Sequence, residues 1–416
     1  MTPRTGAALA LGVLVLAILV IAILAVPWSQ ATPSRAVQQA AVSTLPEDAV
    51  ERGKRLHATL RPGSYGSLLV GLAAALALGL TPLGARIVEL AGRITGGHWV
   101  AEALLGGLVV AFAGQIVTLP FAAWRHVVLR RYGLSTQDWG GWFADLGRAA
   151  GVTAVLGAVA LLGFYGVTRL APRWWWAWAA GGAAGLVVLF SFVFPVLVAP
   201  VFNRFTPMPE SPLRQQLLAL AERDGIPVRD VLIADASRRT TAVNAYVAGL
   251  GATRRIVVYD TLLEAAPPEE VVQVVAHELG HAKRRDVVLG TTLGALGAAA
   301  GVCAVYLLGG WSGLLRRAGV SDIAEPRGVA LLLAIMAVAG LLAMPLQNAV
   351  SRRIEARADA YALALTEDPE TFAAMQRRLA IRNLADVDPP RWAYLLFASH
   401  PSTAERIAAA MEYARR

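Results

Sequence analysis

Seven apolar runs dominate the pattern of the chain, at approximately Ala7–Val26, Gly66–Gly84, Ala101–Trp124, Ala149–Leu170, Trp175–Val198, Val287–Leu308 and Gly328–Gln347. Each is near the roughly 20 residues that an α-helix needs to cross a bilayer core. No water is available there for backbone polar groups, so each run is predicted to be a spanning helix. The first begins near Arg4 and stops at Pro27, as a signal peptide would. Its length exceeds the roughly 7–15 residues of a signal h-region, which favours an uncleaved first span.

Two long polar segments, Phe202–Asp286 and Ser351–Arg416, interrupt or follow these runs. In the first, Val231–Ile233 is a short apolar run. Ala242–Ala248 and Arg255–Tyr259 are rich in β-formers and are separated by Gly249–Ala252, which predicts a small antiparallel hairpin. Pro267 and Pro268 then open a helix, with Glu269 and Glu270 in the first turn where the helix dipole favours acids. In the second segment, Ser351–Leu365 reads as a helix with no breaker. The chain therefore divides into a membrane region of five spans (1–200), a polar segment (201–286), spans six and seven (287–347) and a last polar segment (348–416).

Composition agrees with a mainly α, polytopic membrane protein: 56% of residues are hydrophobic and only 16% are charged. The net charge of +9 comes almost wholly from arginines in short loops, with no basic-aromatic module, so no nucleic-acid partner is expected. The loop after span one holds Arg35, Arg52, Lys54, Arg55 and Arg61, and the loop after span three holds Arg125, Arg130, Arg131 and Arg148. Loops on the other side are poorer. The richer side should be cytoplasmic, which places the N-terminus outside the cell membrane and both polar segments inside. Cys303, the single cysteine, can form no internal disulfide and reads as a small core residue. Trp174, Trp175, Trp176 and Trp178 read as an aromatic belt where span five begins.

The chemistry lies in His277-Glu278-Leu279-Gly280-His281, an H-E-x-x-H sequence behind the apolar run Val271–Val275. Residues four apart share a helix face, so both imidazoles can reach one metal ion. Zinc is the expected cofactor, one per chain, and its bound water would have a pKa near about 7. Glu278 stands beside the first ligand, where it can take a proton from that water. A third ligand is needed. Glu355 on the helix after span seven is the best candidate, with Asp359 one turn later to orient a histidine. An ordinary charged face is the alternative, because Arg352, Arg353 and Arg357 lie on the same stretch. His400, followed by Pro401, could donate to an oxyanion.

These residues resemble the integral-membrane CAAX prenyl endopeptidases of the zinc type, type 1, with the heat-shock membrane proteases as more distant relatives. The resemblance runs from about Pro195 to Arg406. It is carried by Asn203-Arg204-Phe205, Asn244-Ala245-Tyr246, Arg255 to Leu263, His277–His281 with Lys283, Ser351-Arg352 with Glu355, Ala358 and Asp359, and Ser399-His400-Pro401 with Arg406-Ile407. It implies spanning helices around a water-filled chamber, capped by a gluzincin-like catalytic domain. It also implies Glu355 as third ligand, His400 and Arg406 as active-site groups, and Asn244-Ala245 beside the cleft to bind substrate. Two positions depart from the family: prenyl-processing members often carry Trp and a second His where this chain has Ala282 and Asp286. The preference for Arg over Lys further suggests a GC-rich bacterial genome. The expected partners are bilayer lipids and a membrane-associated or lipid-anchored peptide or protein. Quality-control cleavage of misfolded membrane proteins is a second reading. An inactive scaffold or transporter is a third, which the retained Glu278 and ligands disfavour.

Overall fold

The computed structural model describes residues 1–416. Seven helices are long and apolar enough to span a membrane: α1 (Pro3–Ala25), α3 (Glu47–Gly79), α5 (Trp99–Arg131), α6 (Trp139–Leu170), α7 (Trp175–Phe202), α11 (Asp286–Leu308) and α13 (Val329–Thr366). Six of them neighbour one another in a closed ring, α3–α5–α6–α7–α11–α13 and back to α3, while α1 packs on α11. A closed ring of helices encloses a space. No more than 22% of any span's apolar window is buried, so most of each span faces lipid or that interior.

Helices approach closely where side chains are missing. A Cβ added at Gly79 of α3 would stand 2.4 Å from Ala334 Cβ and 2.6 Å from Ala330 O of α13. That contact lets two spans touch through their backbones, as small residues do in membranes.

Several boundaries differ from the pattern in the sequence: span three runs on to Arg131 and span four starts at Trp139. The second span begins at Glu47, well before Gly66, and ends at Gly79 rather than Gly84. Thr81 starts a new helix, α4 (Pro82–Ile94): its hydroxyl accepts from Leu83 N–H at 3.3 Å, and Pro82 has no N–H to satisfy. Span seven and the helix predicted at Ser351–Leu365 are one element of 38 residues, α13, despite Pro345 inside it. The tryptophan cluster splits in two. Trp174 and Trp178 are exposed as belt residues are, whereas Trp175 and Trp176 are buried, both against Tyr306. Cys303 is fully buried, as a core residue should be.

The polar segments fold together on one end of the ring. The hairpin forms between β3 (Ala245–Ala248) and β4 (Arg255–Tyr259), antiparallel, with Ala245 opposite Val258. It belongs to a four-stranded mixed sheet that was not apparent from the sequence, ordered β1-β2-β4-β3. Here β1 is Phe205–Pro207 and β2 is Asp230–Ala234, which runs parallel to β4. Three residues including a proline carry no readable alternation, so β1 had no signal.

Against the sheet lies α10 (Pro268–Arg284), buried along Val271, Val275 and Leu279 in a core shared with Phe372, Met375 and Ile407. Its first turn is fixed by Glu270, which accepts from Arg378 Nε at 2.6 Å and Nη2 at 3.0 Å. Phe372, Met375 and Arg378 lie on α14 (Pro369–Arg382), and Ile407 on α16 (Thr403–Tyr413). Arg285, in the left-handed region at φ 56°, ends α10 and turns the chain straight into α11.

Candidate active site

Helix spacing puts His277 and His281 one turn apart on α10, with ring centroids 4.9 Å apart. Their Nε2 atoms are 3.2 Å from each other. Across from them, α13 supplies Glu355, whose Oε2 is 3.3 Å from His277 Nε2 and whose Oε1 is 3.5 Å from His281 Nε2. Three donors held tetrahedrally at about 2.0–2.1 Å from one ion would stand about 3.3 Å apart. The three side chains match that spacing.

Two further observations fit a cation here. Glu355 Oε2 is buried and has no hydrogen-bond donor. Burial would lower the pKa of His277, yet the neighbouring carboxylates of Asp359 and Glu355 carry it up to about 10, so the site favours positive charge. Donor chemistry and geometry therefore both suit a metal ion.

The surrounding residues complete a cleft of ≈ 1020 Å³, lined among others by Asn244, Tyr246, Glu278, Glu355 and His400. Glu278 follows the first histidine, and burial raises its carboxyl above the ordinary value while His277 and His281 pull it back. His400 Nδ1 is 2.9 Å from Ser399 Oγ. Partial burial lowers its pKa against the opposing pull of Glu355. Asp359, buried one turn beyond Glu355, has Oδ1 2.8 Å from His277 Nδ1. Arg406 donates from Nε to Asp359 Oδ2 at 2.8 Å. Burial works against the charge on Arg406, but Asp359 more than offsets it and raises its pKa.

The chain thus brings all the residues marked in the sequence to one place, with two refinements. Arg406 meets the site through Asp359 as well as lining the cleft. Asn244 serves two ends: its Oδ1 accepts from Ala245 N–H at 2.9 Å, while the residue is exposed on the cleft. Ala245 opens β3, which has a hydrogen-bonded neighbour on one side only and lines the cleft through Ala245, Tyr246 and Val247. Asp286 also reaches the site, its Oδ2 2.9 Å from His281 Nδ1. In the sequence it stood out only as a departure from the family pattern.

Comparison with known proteins agrees with this geometry. The model of Peptidase family M48 matches residues 207–414, and that of the CAAX prenyl protease N-terminal region, five membrane helices, matches residues 54–204. An uncharacterised metalloprotease of Bacillus subtilis, YhfN, is 32% identical over 72% of this chain and 71% of its own length. A CAAX prenyl protease 1 homolog of Oryza sativa subsp. japonica is 31% identical over 74% of this chain and 72% of its own. The crystal structure of S. mikatae Ste24p has the same fold, with a TM-score of 0.79 at 21% identity, covering 97% of this chain and 98% of that one. With spans ringed around an interior and a histidine-histidine-glutamate group beside an edge strand, the chain belongs to Peptidase family M48, as a multi-pass membrane metalloprotease of the CAAX prenyl protease type.

Proposed function

We propose that this chain is a zinc endopeptidase that cleaves membrane-associated or lipid-anchored peptides on the cytoplasmic side of the membrane. The observation that carries this is the ligand triangle of His277, His281 and Glu355 at 3.2–3.5 Å, beside both Glu278 and an unpaired strand edge. Two nitrogens and one carboxylate oxygen are a donor set of catalytic zinc sites. Bound there, zinc would supply a water of lowered pKa and polarise the scissile carbonyl.

The residues then divide the work. The β3 edge takes the substrate backbone by strand addition, with Asn244 adding a side-chain amide. Glu278 accepts the proton of the attacking water and passes it to the leaving amine. His400 donates its ring N–H to the oxygen that gains charge in the tetrahedral state. Asp359 accepts from His277 Nδ1–H, which leaves the Nε2 lone pair free, and Arg406 keeps that carboxylate in place.

The Oryza sativa relative is named a CAAX prenyl protease 1 homolog, which favours a lipid-anchored substrate over a misfolded membrane protein. Trapping in membranes with a Glu278→Gln variant, followed by mass spectrometry, tests this. Lipid-anchored peptides are the expected captures. Recovery of damaged polytopic proteins alone would instead assign a quality-control role.

A further inference from the structure

His277 and His281 carry matching partners on their Nδ1 atoms, the ring nitrogens remote from the ligand triangle. For His277 the partner is Asp359, itself gripped by Arg406. For His281 it is Asp286, whose Oδ2 is 2.9 Å from Nδ1, while Arg357 Nη2 grips Asp286 Oδ1. Both members of this second pair are well covered, with side-chain exposures of 9% for Asp286 and 17% for Arg357.

We infer that Asp286 is a positioning residue that aims His281 at the metal. Its carboxylate accepts the Nδ1–H, which fixes the tautomer, points the Nε2 lone pair into the ligand triangle and makes the ring a stronger donor. Arg357 holds the other oxygen, so the carboxylate cannot turn away from the ring. Arg357 Nη1 also lies 3.5 Å from Ala25 O, which ties this relay to the end of the first span. The inference rests on the metalloprotease reading and adds to it a residue that the H-E-x-x-H pattern does not contain.

The backbone supports the assignment. Asp286 stands five positions after His281, and in an unbroken helix that offset would place them about 140° apart, facing different ways. The left-handed turn at Arg285, φ 56°, breaks the helix between them and brings the carboxylate back to the imidazole. An ordinary buried ion pair would need only Arg357. Here both carboxylate oxygens are used, one of them on a ligand histidine.

The test uses the full chain purified in detergent, with zinc affinity read by chelator competition and ligand geometry read from the absorption of the cobalt-substituted protein. Asp286→Ala should bind zinc about 10–100-fold more weakly and show a changed cobalt spectrum. Asp286→Asn should fall between Ala and wild type, because its amide oxygen still accepts but carries no charge. A purely structural role would lower thermal stability and leave both metal readouts unchanged. Wild-type zinc affinity in either folded variant overturns the inference, and if the Ala variant does not fold, the Asn variant decides. A wild-type chain that binds no zinc would remove the metalloprotease reading itself and this inference with it.

Discussion

His400 Nε2 lies 3.5 Å from Glu355 Oε2. The last polar segment therefore returns to the helix that continues from span seven, and it presents a histidine to the ligand triangle without belonging to it. In the proposed mechanism such a group acts on the substrate. His400→Phe should mainly lower kcat and leave zinc in place, whereas Asn244→Ala should mainly raise KM, because a backbone anchor binds ground and transition states alike. Steady-state kinetics on a quenched peptide separates the two. Wild-type constants for Asn244→Ala, together with a lower thermal midpoint, would reduce Asn244 to shaping the start of β3.

Metal affinity ranks the two carboxylates of α13. Asp359→Ala removes a partner of a ligand and should weaken zinc binding by about 10–100-fold. Glu355→Ala removes a ligand and should weaken it further. Chelator competition on both variants checks the order, and the reverse order would mean that the third ligand is misassigned.

Packing of α3 on α13 gives a stability test independent of chemistry. Gly79→Ala places a methyl 2.4 Å from Ala334 Cβ and 2.6 Å from a backbone oxygen, so the spans must separate. Overpacking of this kind costs about 1–3 kcal/mol. Gly301→Ala on α11 meets nothing within 4 Å and should be neutral or slightly stabilising. Thermal midpoints in detergent compare them, and equal midpoints would contradict the close approach.

The proposed orientation rests on the arginine-rich loops. With Cys303 replaced, Thr2→Cys should react with an impermeant thiol reagent in intact cells and Arg416→Cys should not. Labelling of Arg416→Cys alone would invert the topology.

Much of the site was legible because its chemistry is local. His277, Glu278 and His281 share one helix, and Glu355 with Asp359 repeats the four-residue spacing on another. The spans were legible because a bilayer demands long apolar runs. What stayed hidden depends on breaks and on distant contacts. The turn at Arg285 that recruits Asp286 has no glycine to mark it. The strand pairing of β2 with β4 joins residues far apart in sequence. The burial of Trp175 and Trp176 depends on Tyr306 from another span, so composition alone read them as belt residues.

Cleavage by the purified chain and by Glu278→Gln, measured in parallel with metal content, tests the assignment of zinc and base most directly. Glu278 is placed in proton transfer and Gln differs from it by little more than charge, so metal binding should survive while proteolysis does not. The expected result is about one zinc per chain in both proteins, peptide cleavage by wild type that a chelator abolishes and zinc restores, and no cleavage by Glu278→Gln. Cleavage by Glu278→Gln at the wild-type rate, or wild-type cleavage that persists after the metal is removed, would contradict it.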